Sequence, residues 1–107
     1  MEAACRGAKD GGGTTVGILP GTERVAANAF VDVAIPTGLG EARNALVVRA
    51  ADALIAIGGA YGTLSEIAFA LKAGKPVVGL GTWDVDGVRP AGSPEAAVES
   101  VLADLST

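Results

Sequence analysis

The segment "DALIAIGGAYGTLSEIAFALKAG", residues 52–74, decides the fold. Its first eight residues form a short apolar run without polar alternation, which reads as a strand buried on both faces. Glycines at 58, 59 and 62 then interrupt the chain. From Thr63 the spacing predicts a helix over 63–74, with Leu64, Ile67, Ala68 and Leu71 on one stripe and Gly74 as its stop. Strand, glycine turn and helix in this order make up half of a βαβ unit.

Working outward, the same grammar repeats. Residues 2–9, "EAACRGAK", read as an alanine-rich helix ended by Asp10-Gly11-Gly12-Gly13. "TTVGILP" at 14–20 and "VDVAIP" at 31–36 read as strands closed by prolines, with "ERVAANAF" between them ambiguous. "EARNALVVRAAD" follows Gly38 and Gly40 and reads as a helix on which Leu46, Val47 and Ala50 share a face with Ala42 or Arg43. "KPVVGLG" at 75–81 is a further strand. Residues 82–92 read as a surface loop with a small hairpin around Asp86-Gly87. The closing helix, 93–105, has Ser93 as N-cap and Pro94 at its first position. Alternation of this kind predicts an α/β fold of Rossmann type: a parallel sheet with helices on both faces, in three layers. The length of 107 residues suits one domain, 1–107.

Composition removes several function classes. The formal net charge of −4 argues against a sequence-independent nucleic-acid binder, which needs a cationic face. The absence of histidine removes triad-type bases and most zinc sites, and no metal site is expected. The lone Cys5 excludes an intramolecular disulfide, suits a reducing cytoplasm and reads as a packed helix residue. No apolar run is long enough to span a bilayer, and no signal peptide is visible, so neither membrane nor export is expected.

In open α/β sheets ligands bind where strands end and helices begin. Residues 58–63 form such a junction. Gly58, Gly59 and Gly62 permit positive φ or close backbone approach, and Thr63 stands as N-cap or first-turn residue. First-turn N–H groups and the helix dipole suit a phosphate. The alternative is a plain turn in which Thr63 and Glu66 form a capping box, T-x-x-E. No G-K-[ST] follows, so the turn is not a P-loop. "GLGEARN" at 38–44 is a second glycine-flanked junction. It places Arg43 and Asn44 early in a helix, with Arg43 facing either solvent or the same cleft, where its guanidinium would fork onto phosphate or carboxylate. Trp83 reads as a packed core or interface residue before a cleft residue, and Tyr61 as a ligand cover or an exposed ring. Asp84 and Asp86 read as turn residues rather than metal ligands.

"GLGEARNALVVRAADALIAIGGAYGTLSEIAFALKAGKPVVGLGTW" resembles the Rossmann-like proteins grouped with the molybdenum-cofactor carriers, relatives of the Lonely guy phosphoribohydrolases often called lysine decarboxylases. The motif shared by that wider group is P-G-G-x-G-T-x-x-E, preceded by an arginine on the helix before the strand. Here it is "IGGAYGTLSE", 57–66, with Ile57 in place of the proline and "ARN" where the hydrolases carry Arg-Lys. The resemblance implies that Gly58, Gly59, Gly62 and Thr63 hold a phosphate, with Arg43, Asn44 and Glu66 also at the ligand. In the hydrolases the residues matching Arg43 and Glu66 are catalytic. Ile57 and Asn44 pull toward the carrier-like group. The resemblance also implies that "MEAACRGA" is the helix after the family's first glycine turn. On that reading the chain is N-terminally truncated, the C-terminal two-thirds of the usual domain, and its sheet has a gap or unpaired edges.

Three functions follow as expectations. The leading one is a cytoplasmic binding protein for a phosphorylated nucleotide or molybdopterin-type cofactor, with no other cofactor required. The second is a nucleoside 5′-monophosphate phosphoribohydrolase, with Arg43 and Glu66 as its catalytic pair. The third is a non-functional remnant. Relatives imply a homodimer or homotetramer.

Overall fold

The computed structural model describes residues 1–106 and resolves into two compact units, Met1–Arg43 and Asn44–Thr107. Every strand pairing in both is parallel, as the α/β reading requires.

In the first unit, helix α1 (Glu2–Asp10) is followed by strand β1 (Val16–Leu19), a short 3-10 turn at Arg24–Ala26 and strand β2 (Val33–Pro36). The glycine run stops α1 by a Schellman arrangement. Gly12 takes φ +80°, Gly13 N–H donates to the Ala8 carbonyl at 2.8 Å, and Gly12 N–H donates to that of Lys9 at 3.0 Å. Strands β1 and β2 pair from Val16 with Val33 to Leu19 with Pro36. Among the described residues none of this unit's apolar side chains is fully buried, and Val16, Val33 and Ile35 stay exposed. A polar knot does the fastening. Asp32 accepts the Thr15 backbone N–H at 2.9 Å and pairs with Lys9 of α1 at 2.9 Å. The buried Thr15 hydroxyl donates to the Phe30 carbonyl and accepts from the Asp32 N–H.

The second unit holds helix α2 from Asn44 onward (α2 spans Arg43–Ala50), strand β3 (Leu54–Ile57), helix α3 (Tyr61–Lys72), strand β4 (Val77–Leu80), strand β5 (Arg89–Pro90) and helix α4 (Pro94–Leu105). Its sheet runs β3-β4-β5. Consecutive residues Val77 and Val78 of β4 are both buried, so both sheet faces are covered there. Helices α3 and α4 each pack on β3 and β4. Val48, Ala56, Ile67, Ala70 and Val77 make the core, with Leu54, Leu71, Trp83 and Val88 around it.

Several local readings hold. Ser93 caps α4 by accepting the Ala96 N–H at 3.1 Å, with Pro94 behind it. Gly74, at φ +73°, ends α3 in a second Schellman arrangement, where Lys75 N–H reaches the Ala70 carbonyl at 3.0 Å. The Lys75 ammonium then caps α2 through the carbonyls of Val48 and Arg49, at 2.7 and 3.1 Å. Three readings are corrected. Around Asp86-Gly87 there is a turn but no hairpin: the chain continues into β5, which pairs with β4 in parallel. The buried residues of α2 are Asn44 and Val48 rather than Leu46, Val47 and Ala50. On α3 the buried pair is Ile67 and Ala70, while Ala68 is exposed.

The Asp32 carboxyl is held below the usual aspartate range, first by the Thr15 N–H and then by Lys9. A carboxylate depressed in the folded state stabilises it above the unfolded pKa, and that contribution is lost as pH falls through the folded value. Amide protection at Thr15 and Val33 should therefore fall on acidification below about pH 4. Asp32→Asn should show the loosened state already at neutral pH, as hydrogen exchange would record.

Candidate functional site

The glycine turn leaves β3 at its C-terminal end and enters α3. Gly58 and Gly59 take φ +53° and +95°, a region closed to most side chains. A Cβ on Gly59 would lie 2.0 Å from the Thr63 Oγ1 and 2.4 Å from its Cβ, so the backbone at 59 rests directly on the Thr63 side chain. Gly62 differs: its φ is helical, and a Cβ there would meet only the Asn44 Nδ2, at 3.6 Å. Of the two readings offered for Gly62, positive φ does not apply.

Helix α3 starts two residues earlier than the sequence pattern predicts. Its N-cap is Ala60, which has no side-chain acceptor. Thr63 is thus the third helical residue and Glu66 the sixth, so the T-x-x-E capping box does not form. The first-turn N–H groups, which have no acceptor inside a helix, open beside the glycines. Here the backbone dipoles concentrate partial positive charge.

The turn is held from two sides. On one, the buried Asn44 donates from Nδ2 to the Ser65 hydroxyl at 3.2 Å and, at 3.5 Å, to the Gly62 carbonyl, which also accepts from Ser65 at 2.7 Å. On the other, the loop after β4 closes over it. Thr82 Oγ1 donates to the Gly58 carbonyl at 2.6 Å, and the Trp83 indole N–H donates to that of Ala60 at 3.0 Å. Sequence reasoning missed Ser65 and Thr82 altogether. The signal for Thr82 was its place two residues past the end of β4: in a parallel sheet, neighbouring strands end side by side.

The expected residues are therefore partly brought together. Gly58, Gly59, Gly62 and Thr63 form one turn, and Asn44 lies against its carbonyl side as a brace. Glu66 follows one turn further along α3, half-buried. Arg43 ends the first unit, where its Nη1 donates to the Ile18 carbonyl of β1 at 2.8 Å and its Nε is buried without a hydrogen-bond partner. One guanidinium donor is thus already engaged by a strand end.

An open depression of about 410 Å³ lies at the other end of β4, bordered by Lys75, Arg89 and Asp104. Its charges are engaged: Lys75 with the α2 carbonyls and Arg89 with Asp104. Among the described residues no group of three or more His, Cys, Asp or Glu side chains converges as a metal site would require, and no helix is long and apolar enough to cross a membrane.

Parallel strands with a glycine turn at the strand ends, running into an uncapped helix start, define a Rossmann-like α/β protein. The chain belongs to the SLOG cluster4 family, whose model matches residues 1–103. It is 50% identical over 104 residues to an uncharacterized protein of Archaeoglobus fulgidus, a match covering 96% of this chain and 68% of that one. The molybdenum cofactor binding protein of the phototrophic bacterium Rippkaea orientalis shares 41% identity at a TM-score of 0.89, over 98% of this chain and 71% of that chain. The molybdenum cofactor carrier protein of Chlamydomonas reinhardtii shares 38% at 0.83, over 100% and 71%. The chain is thus a homologue of the molybdenum-cofactor carriers, the group that its glycine motif resembles.

The two glycines should respond in opposite ways. Gly59→Ala forces both a clash and a disfavoured φ, and should cost about 1–3 kcal/mol. Gly62→Ala places a better helix former in α3 without a clash, and should leave stability unchanged or raise it by up to about 1 kcal/mol. Urea denaturation of the two variants checks both.

Proposed function

We propose that the chain binds a phosphate-bearing small molecule of the molybdenum-cofactor type, with the phosphate seated on the turn Gly58–Thr63. The observation that carries this reading is the start of α3. Two positive-φ glycines deliver the chain to a helix whose N-cap has no side chain able to satisfy its N–H groups. An anion satisfies them and meets the positive end of the helix dipole. A molybdenum cofactor binding protein at 41% identity and a molybdenum cofactor carrier at 38% support the pterin-type ligand over other phosphate esters. In this reading Thr63 adds a hydroxyl to the phosphate shell, Gly62 lets the ligand approach the backbone, and Asn44 holds the turn rather than the ligand.

Gly62→Ala separates binding from folding, because the added methyl is harmless to the helix. Calorimetric titration with inorganic phosphate and a panel of nucleoside 5′-monophosphates should show binding to the chain as it stands. It should show at least roughly tenfold weaker binding in Gly62→Ala, since a methyl at the anion contact keeps phosphate off the N–H groups. Unaltered affinity in the variant would remove the phosphate from this turn. Release of free base during the titration, abolished by Glu66→Gln, would make the protein a phosphoribohydrolase instead of a carrier.

Assembly belongs to the same reading. Val98, Leu102 and Leu105 make an exposed stripe along α4, at 49, 57 and 48% exposure. Sedimentation velocity should find a homodimer or homotetramer, and Leu102→Glu should shift the population toward a single chain by charging that stripe.

A further inference from the structure

Two of the chain's aromatic rings meet at the mouth of the glycine turn. Tyr61 and Trp83 stack with ring centroids 5.7 Å apart and planes inclined by 30°. The two rings are held very differently. Trp83 is half-buried against the core, and its indole N–H is fixed to the Ala60 carbonyl. Tyr61 is 79% exposed, with one face on the indole. It is also the first residue of α3, and side chains of a helix lean toward its N-terminus. The tyrosine ring therefore leans toward the glycine turn at the N-terminal end of α3. A large ring left in water on an otherwise small-residue turn, backed by an anchored indole, is built like a stacking surface.

We propose that Tyr61, backed by Trp83, is the ring-recognition wall of the site. It takes a planar heteroaromatic group, pterin or purine in kind, whose phosphate end lies on the adjacent turn. The second half of that statement rests on the phosphate reading above; the wall does not. An electron-rich phenol face favours a flat, electron-poor heterocycle over a sugar, and offset stacking is indifferent to the pattern of hydrogen-bonding groups on the ring edge. The wall thus supplies selection for flatness, while the turn supplies selection for charge.

The chain has a single tryptophan, so indole fluorescence reports on this wall alone. The probes are guanosine 5′-monophosphate, guanosine and ribose 5-phosphate, titrated by fluorescence and by calorimetry into the chain, Tyr61→Ala and Tyr61→Phe. Thermal melts accompany them; the exposed ring of Tyr61 makes the variants fold like the parent. The expected result is that guanosine 5′-monophosphate binds at least roughly tenfold tighter than ribose 5-phosphate and perturbs the indole emission. That advantage should vanish in Tyr61→Ala and persist in Tyr61→Phe. Equal affinity for the two phosphates, or an advantage untouched by Tyr61→Ala, overturns the wall and leaves the phosphate turn standing. Guanosine binding that depends on Tyr61, with no binding of ribose 5-phosphate, keeps the wall and removes the phosphate turn. Silence from all three probes in both readouts overturns both.

Discussion

The second unit depends on one close approach, the backbone of Gly59 against the side chain of Thr63. No residue with a Cβ fits there. Because the chain at 58 and 59 takes positive φ, it turns sharply off the end of β3 and starts α3 at once. That sharpness has two effects. It moves the helix start forward to a residue that cannot cap, and it brings the carbonyls of Gly58 and Ala60 within reach of the loop that follows β4. The uncapped dipole and the stacking of Tyr61 on Trp83 both follow from a turn with no room for a methyl group.

Around that turn the fasteners are polar and long-range. Asn44 is buried yet satisfied, because Ser65 and the Gly62 carbonyl stand where its amide points. A buried amide without those partners would be costly, and with them it fixes one geometry. The first unit follows the same economy: with no buried apolar side chain, it relies on Thr15, Asp32 and Lys9. A chain this poor in aromatics builds order from directional bonds where bulk is missing.

What was legible in the sequence was whatever local chemistry decides. Ser93-Pro94 reads as a helix start because cap and proline act within one turn, and Gly74 as a stop because a positive φ is needed there. The glycine turn was legible for the same reason. The start of α3 was not, because Thr63 and Glu66 imitate a capping box while the true N-cap, Ala60, carries no signal. The buried stripe of α2 was misread because Asn44 looks like a surface residue until its partners, 18 and 21 positions away, are in place. The parallel pairing of β5 was hidden for a related reason: a turn at Asp86-Gly87 looks the same whether the chain then doubles back or runs on.

The outer edge of the second sheet is only two residues long, and one of them is Pro90, which has no N–H to offer, while Arg89 is tied to Asp104 of α4. Such an edge cannot template another strand. The opposite edge is β3. Of this sheet's two edges, then, β3 is the one whose backbone could take a further strand, and it is the strand that delivers the chain to Gly58. A strand added there would run alongside the approach to the glycine turn, so under the phosphate reading proposed above strand pairing and ligand binding would each be felt by the other.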